Sequence, residues 1–137
     1  MFEIGHWQDF LLVAVGAISG ASLRFWLGDF LQLLLPRKHW GTFLINISAA
    51  FGLGLVIAFE AERGSSLGEA LSSNRASQLF LLIAVGFLGS LSTFSTFVLE
   101  VLMALRDHLW REAFLLTLGS ICVGLLAAYL GLVIGNG

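Results

Sequence analysis

SQLFLLIAVGFLGSLSTFSTFVLEVLMAL, Ser77 to Leu105, carries one charged residue, Glu100, in 29 positions. A helix of roughly 20 mostly apolar residues crosses a bilayer. The stretch exceeds that length and reads as a membrane span. Its middle is discordant. GSLSTFSTF, Gly89 to Phe97, puts five hydroxyl side chains and two phenylalanines into nine residues. Ser and Thr hydroxyls bond back to helix carbonyls and bend helices. Gly86 and Gly89 weaken regularity further. The run Gly89 to Thr93 therefore predicts a third helix interrupted near mid-membrane. Irregular backbone at that depth is tolerated where it is buried in protein or lines a wet cavity. Carbonyls freed there can coordinate a cation.

Three further segments have the length of a span: about Phe10 to Leu35, Trp40 to Phe59 and Ala113 to Ile134. The expected architecture is an all-α integral membrane domain over 1–137, with helices at about 10–35, 40–59, 77–105 and 113–134. Composition agrees. The 137 residues are 58% hydrophobic and 12% charged, against about 25% charged in typical soluble domains. A net charge of −2 gives no nucleic-acid footprint. The N-terminus lacks a basic signal-peptide region, so the first segment is expected to be retained. One cysteine, Cys122, excludes an intramolecular disulfide.

Pro36-Arg37-Lys38 reads as a tight turn. Glu60 to Ala76 is the longest polar connection, and Arg106 to Glu112 is a short loop. Arg63 and Arg75 fall on one side of the membrane; Arg37, Lys38, Arg106 and Arg111 fall on the other. Two against four is a weak bias for a rule that orients helices by loop Lys and Arg. It suggests insertion both ways and an antiparallel pair. Small residues four apart, Gly16 and Gly20, Gly131 and Gly135, and the series Ser120, Gly124, Ala128, favour close helix packing. Gly41, Ala50 and Gly54 dot the second segment.

Several polar groups sit in the wrong solvent. Arg24 lies about 14 residues, or roughly 20 Å, into the first segment. A charge at that depth costs several kcal/mol unless paired or hydrated. Two readings stand: a side chain snorkelling or pairing with Asp29, or an anion-attracting group at a pore entrance. Asn46 is either an interhelical hydrogen bond or a donor to a passing anion. Glu100 is either structural or a proton carrier. Phe94 and Phe97 share a helix face beside Thr93 and Thr96. They are ordinary packing rings, or they present positive ring edges to an anion.

Three motifs occur in order: GASLRF (Gly20 to Phe25), GTFLIN (Gly41 to Asn46) and GFLGSLSTFSTF (Gly86 to Phe97). Together they resemble the bacterial fluoride channel family, Fluc, also called CrcB, over nearly the whole chain. The resemblance implies an antiparallel, dual-topology homodimer in the cell membrane that passively exports fluoride through two pores and excludes chloride. The family's pore phenylalanines fall on Phe94 and Phe97, its pore asparagine on Asn46 and its first-helix arginine on Arg24. Thr93, Ser95 and Thr96 match the hydroxyl-rich segment, and Ser120 is the fourth-helix polar contact. The backbone carbonyls of Gly89 and Ser92 are implied ligands of a central sodium ion shared by both subunits. The chain departs from the family at Phe25, often Tyr, at Ala49 and Ser90, commonly Gly, and at Ser92, commonly Thr.

The chemistry suits that assignment. Fluoride holds water tightly, so a pore must replace water with several weak donors that also release the ion. No nucleophile–base pair stands out, so no enzyme activity is expected. The rival is a small multidrug-type proton-coupled exporter. That function calls for a carboxylate deep in the first helix, where this chain has Arg24. A non-transporting scaffold is the third class, and it needs no polar track.

Overall fold

The computed structural model describes residues 7–35, 38–62 and 76–137. All regular structure among them is helical. Helix α1 spans Trp7–Leu34 and α2 spans Lys38–Glu62. The third apolar stretch is composite. It comprises α3 (Ala76–Phe80), a π-helical segment (Leu81–Leu88), α4 (Gly89–Leu91) and α5 (Phe94–Arg106). Helix α6 spans Trp110–Gly135. Four helical stretches are long and apolar enough to cross a membrane: Trp7–Leu34, Trp40–Glu62, Gln78–Arg106 and Trp110–Gly135. The Pro36-Arg37 part of the expected turn, and 63–75 of the polar connection, lie outside the described residues; Lys38 opens α2.

The helices run past their apolar stretches. Helix α1 begins at Trp7, α6 begins at Trp110, and α2 continues through Glu60 and Glu62. Apolar composition marks the lipid boundary, whereas helix hydrogen bonds continue into the interface, where Trp is favoured. Between α5 and α6 the chain turns within three residues. His108 has φ 60°, in the left-handed region. His108 N–H donates to the Leu105 carbonyl at 3.1 Å, and Leu109 N–H donates to the Ala104 carbonyl at 2.8 Å. This is a Schellman cap, with His108 where glycine is usual.

Two seams hold the bundle. Helix α1 lies along the π-helical segment, and α2 lies along α6. Both seams are backbone against backbone. A Cβ on Gly16 would overlap the Leu82 carbonyl, and one on Gly20 the Phe87 carbonyl. In the second seam, a Cβ on Gly54 would overlap the Ala128 carbonyl, and one on Gly131 the Phe51 carbonyl. Small residues permit this approach, and dispersion between the backbones rewards it. Gly124, in the expected small-residue series of α6, faces open space instead.

Buried side chains are small. Ile45, Ala49, Leu88 and Leu91 form the central cluster, flanked by Leu27, Leu31, Val56 and Phe87. Large apolar side chains face outward, with Leu33 87% exposed. In water such a surface would drive aggregation; in a bilayer it meets acyl chains.

Candidate functional site

The site is organised around two residues that leave the helix. Ser92 has φ −72° and ψ 146°, and Thr93 has φ −140° and ψ 122°, both extended. The backbone of the third stretch is therefore non-helical between Leu91 and Phe94. A helix end leaves carbonyls and N–H groups without intrahelical partners. In an apolar medium each such group costs several kcal/mol.

Asn46 of α2 answers part of that demand. Thr93 N–H donates to Asn46 Oδ1 at 2.9 Å. Asn46 Nδ2 donates to the Thr93 carbonyl at 3.3 Å. An N–H can only donate, so the amide oxygen must face it, and the amide orientation follows. The side chain pairs with one extended residue as a neighbouring strand would. The interhelical bond read from the sequence is thus present, and it uses both ends of the amide. In a continuous helix Thr93 N–H would donate to the Gly89 carbonyl, four residues back. Here that donor is diverted. Ser92 Oγ reaches the Gly89 carbonyl at 3.4 Å, beyond the usual range for such a bond.

A cavity of about 320 Å³ opens beside this pairing. Asn46, Thr93, Phe94, Phe97, Ser120 and Phe43 are among its walls. The Phe94 and Phe97 rings lie 6.1 Å apart at 43°. Phe94 is 78% exposed and Phe97 half-buried. Trp40 packs edge-to-face on Phe43, with centroids 5.7 Å apart at 84°, and so fixes that third ring. Aromatic edges and hydroxyls give this cavity weak positive poles without a formal charge.

A second cavity, of about 360 Å³, is lined by Arg24, Asp29, Thr42, Thr93 and Thr96 with their neighbours. Thr93 contributes to both cavities. Arg24 shares its α1 face with the buried Gly16 and Gly20. Thr42 Oγ1 donates to Glu100 Oε1 at 2.6 Å, tying α2 to α5. A third, smaller cavity of about 190 Å³ includes Gly89, Ser92 and Asn46 in its lining. Among the described residues no cluster of three His, Cys, Asp or Glu side chains could hold a metal. Ser95 lies outside all three linings; its Oγ is 3.1 Å from Thr93 Oγ1.

The profile of the family described as "CrcB-like protein, Camphor Resistance (CrcB)" matches residues 11–132. The chain belongs to the CrcB family. It is 53% identical over 131 residues to "Fluoride-specific ion channel FluC 1" of Prochlorococcus marinus strain MIT 9313, covering 96% of this chain and 94% of that one. It is 46% identical over 131 residues to the FluC 1 channel of Synechococcus sp. strain CC9902, covering 96% of each. A more distant relative, FluC 2 of Clostridium acetobutylicum, is 32% identical over 125 residues, 90% of this chain and 95% of that one. With four spanning helices, this CrcB chain is a multi-pass membrane protein.

Two residues of the CrcB site escaped the sequence reading. Phe43 lies three residues before Asn46, on the same helix face, and that spacing could have found it. Thr42, four before Asn46, falls on that face too, but its bond to Glu100 joins residues 58 positions apart. Other hydroxyls are spent on their own helices. Ser22 Oγ donates to the Ile18 carbonyl at 2.7 Å, Ser90 Oγ to Phe87 at 3.1 Å and Thr117 Oγ1 to Ala113 at 2.8 Å. Hydroxyl density along the sequence therefore overstates the polarity open to a ligand.

Proposed function

We propose that this chain is a fluoride-selective channel of the bacterial plasma membrane, a transport protein rather than an enzyme, that lets fluoride leave the cytoplasm passively. The observation that carries the reading is the shared cavity of Phe94, Phe97, Asn46 and Ser120, in a CrcB chain whose relatives are named fluoride-specific channels. Fluoride enters by exchanging water for donors. Arg24, beside Thr96 and Thr42 in the second cavity, draws the anion electrostatically. Ring edges of Phe94 and Phe97, the second Nδ2–H of Asn46 and the Ser120 hydroxyl then replace hydration water. Each donor is weak, so the ion is released as readily as it is bound. The narrow aromatic passage penalises the larger chloride.

The working unit is an antiparallel homodimer of chains inserted in both orientations. The weak loop-charge bias supports this, as does the large apolar area left exposed by one chain. The extended residues at 92 and 93 are the mid-membrane interruption of the third helix. The backbone carbonyls of Gly89 and Ser92 would hold a sodium ion at the dimer interface. Carbonyl oxygens suit a hard cation. The common cavity of Gly89 and Ser92, and the diverted helical donor of Gly89, fit that ion. Bound sodium would supply a fixed positive charge and a cross-link between subunits.

The test is anion efflux from liposomes reconstituted with purified protein, driven by a potassium gradient and valinomycin. Fluoride efflux without chloride efflux is expected. Folded protein that passes no fluoride would refute the channel.

A further inference from the structure

Asn46 is expected from its cavity position to meet fluoride. Its hydrogen bonds give it a second task. A helix interrupted by two extended residues can heal by re-forming the bond from Thr93 N–H to the Gly89 carbonyl. Healing would satisfy two backbone groups at once, which apolar surroundings reward. It would also occupy the Gly89 oxygen. Asn46 Oδ1 holds Thr93 N–H at 2.9 Å, and Nδ2 holds the Thr93 carbonyl at 3.3 Å. With both backbone groups of Thr93 engaged from α2, the extended conformation is satisfied without the Gly89 carbonyl. Asn46 also lines the small cavity that contains Gly89 and Ser92.

We propose that Asn46 is a positioning residue for the cation site: by capturing Thr93 N–H it keeps the Gly89 carbonyl available to sodium, and so couples the fluoride cavity to the ion. The inference rests on the assignment of Gly89 and Ser92 as sodium ligands. Asn46 acts on the ion through Thr93. The coupling has a chemical signature. An oxygen facing Thr93 N–H is the essential part, and the Nδ2 donor is secondary. Aspartate keeps the first and loses the second; alanine loses both.

The experiment is thermal melting of the purified full-length protein as NaCl replaces N-methylglucamine chloride at constant ionic strength. The readout is the sodium concentration giving half of the stabilisation. Asn46→Ala is expected to raise that midpoint by about tenfold or more, the scale of one lost hydrogen bond. Asn46→Asp is expected to stay within about threefold of wild type on the same scale, although fluoride flux falls in both variants. A purely structural role would lower the melting temperature at every sodium concentration without moving the midpoint. Asn46→Ser, whose short hydroxyl cannot span to Thr93 with both bonds, carries the alanine expectation if Asn46→Ala does not fold. A sodium-stabilised wild type with an unmoved midpoint in the alanine or serine variant would overturn this inference alone. A wild type indifferent to sodium would overturn the sodium assignment and this inference with it.

Discussion

The third span is built as two unlike halves. From Leu81 to Leu91 it is pressed backbone to backbone against α1, and its buried residues, Ala84, Gly86, Leu88 and Leu91, are small or sit in the core cluster. From Phe94 to Arg106 it is an ordinary α-helix with one buried residue, Ala104, and it turns Phe94, Val98, Leu99 and Leu102 outward. The first half is fixed by contacts that admit no side chain. The second is positioned by a few polar bonds and presents its side chains to a cavity and to whatever adjoins it. Scaffold and ligand-facing surface are thus separated within one apolar run, and the two extended residues mark the border.

That division can be attacked from either side. The largest effect is expected at the seam. A Cβ at Gly86 would come within 2.7 Å of the Val13 carbonyl, so Gly86→Leu should abolish recovery of folded protein in size-exclusion chromatography. Gly119→Ala, with nothing within 4 Å of its Cβ, should leave the elution profile unchanged. Equal behaviour of these two variants would erase the distinction between seam and open surface. Next comes Phe94→Ile, on the ligand-facing half. It removes a ring edge worth about 1 kcal/mol, so fluoride efflux should fall by roughly tenfold while the melting temperature holds. A parallel loss of stability would mean that the ring is structural.

Thr42→Val tests how the second half is held. It removes the 2.6 Å bond to Glu100 and should cost about 1–2 kcal/mol, seen as a lower melting temperature. A larger loss of flux than of stability would assign Glu100 to the ion path instead. The smallest effect is expected at the far end of this half. His108→Gly relieves a left-handed backbone and should stabilise by about 0.5–1 kcal/mol, with unchanged efflux.

The halves also differ in how legible they were. Four spans followed directly from apolar length, because the bilayer imposes one requirement on each segment independently. The run Gly89 to Thr93 announced irregular backbone through its own residues. The widened turns of Leu81 to Leu88 left no such trace. LLIAVGFL has the composition of any apolar helix, and Gly89 N–H bonds five residues back to Ala84 beside the α1 glycines. Nor did local pattern reveal the partner of the extended residues. Asn46 and Thr93 are 47 positions apart, so the sequence left two readings of one amide. Ser95 shows the converse. It has the right chemistry and neighbourhood, yet bonds Thr93 and lines none of the three cavities.

The π-helical segment sets the phase of all that follows. Each bond spanning five residues instead of four takes up one more residue per turn. Deleting a single residue between Leu81 and Leu88 would let the segment wind as a plain α-helix, at no loss of hydrophobicity. Everything downstream would then rotate by about 100°. Phe94 and Phe97 would swing off their cavity, and Thr93 would leave the reach of Asn46. In the genetics of this chain, the least conspicuous stretch of leucines is thus where a one-codon deletion should do the most harm to alignment while leaving the count of membrane spans intact.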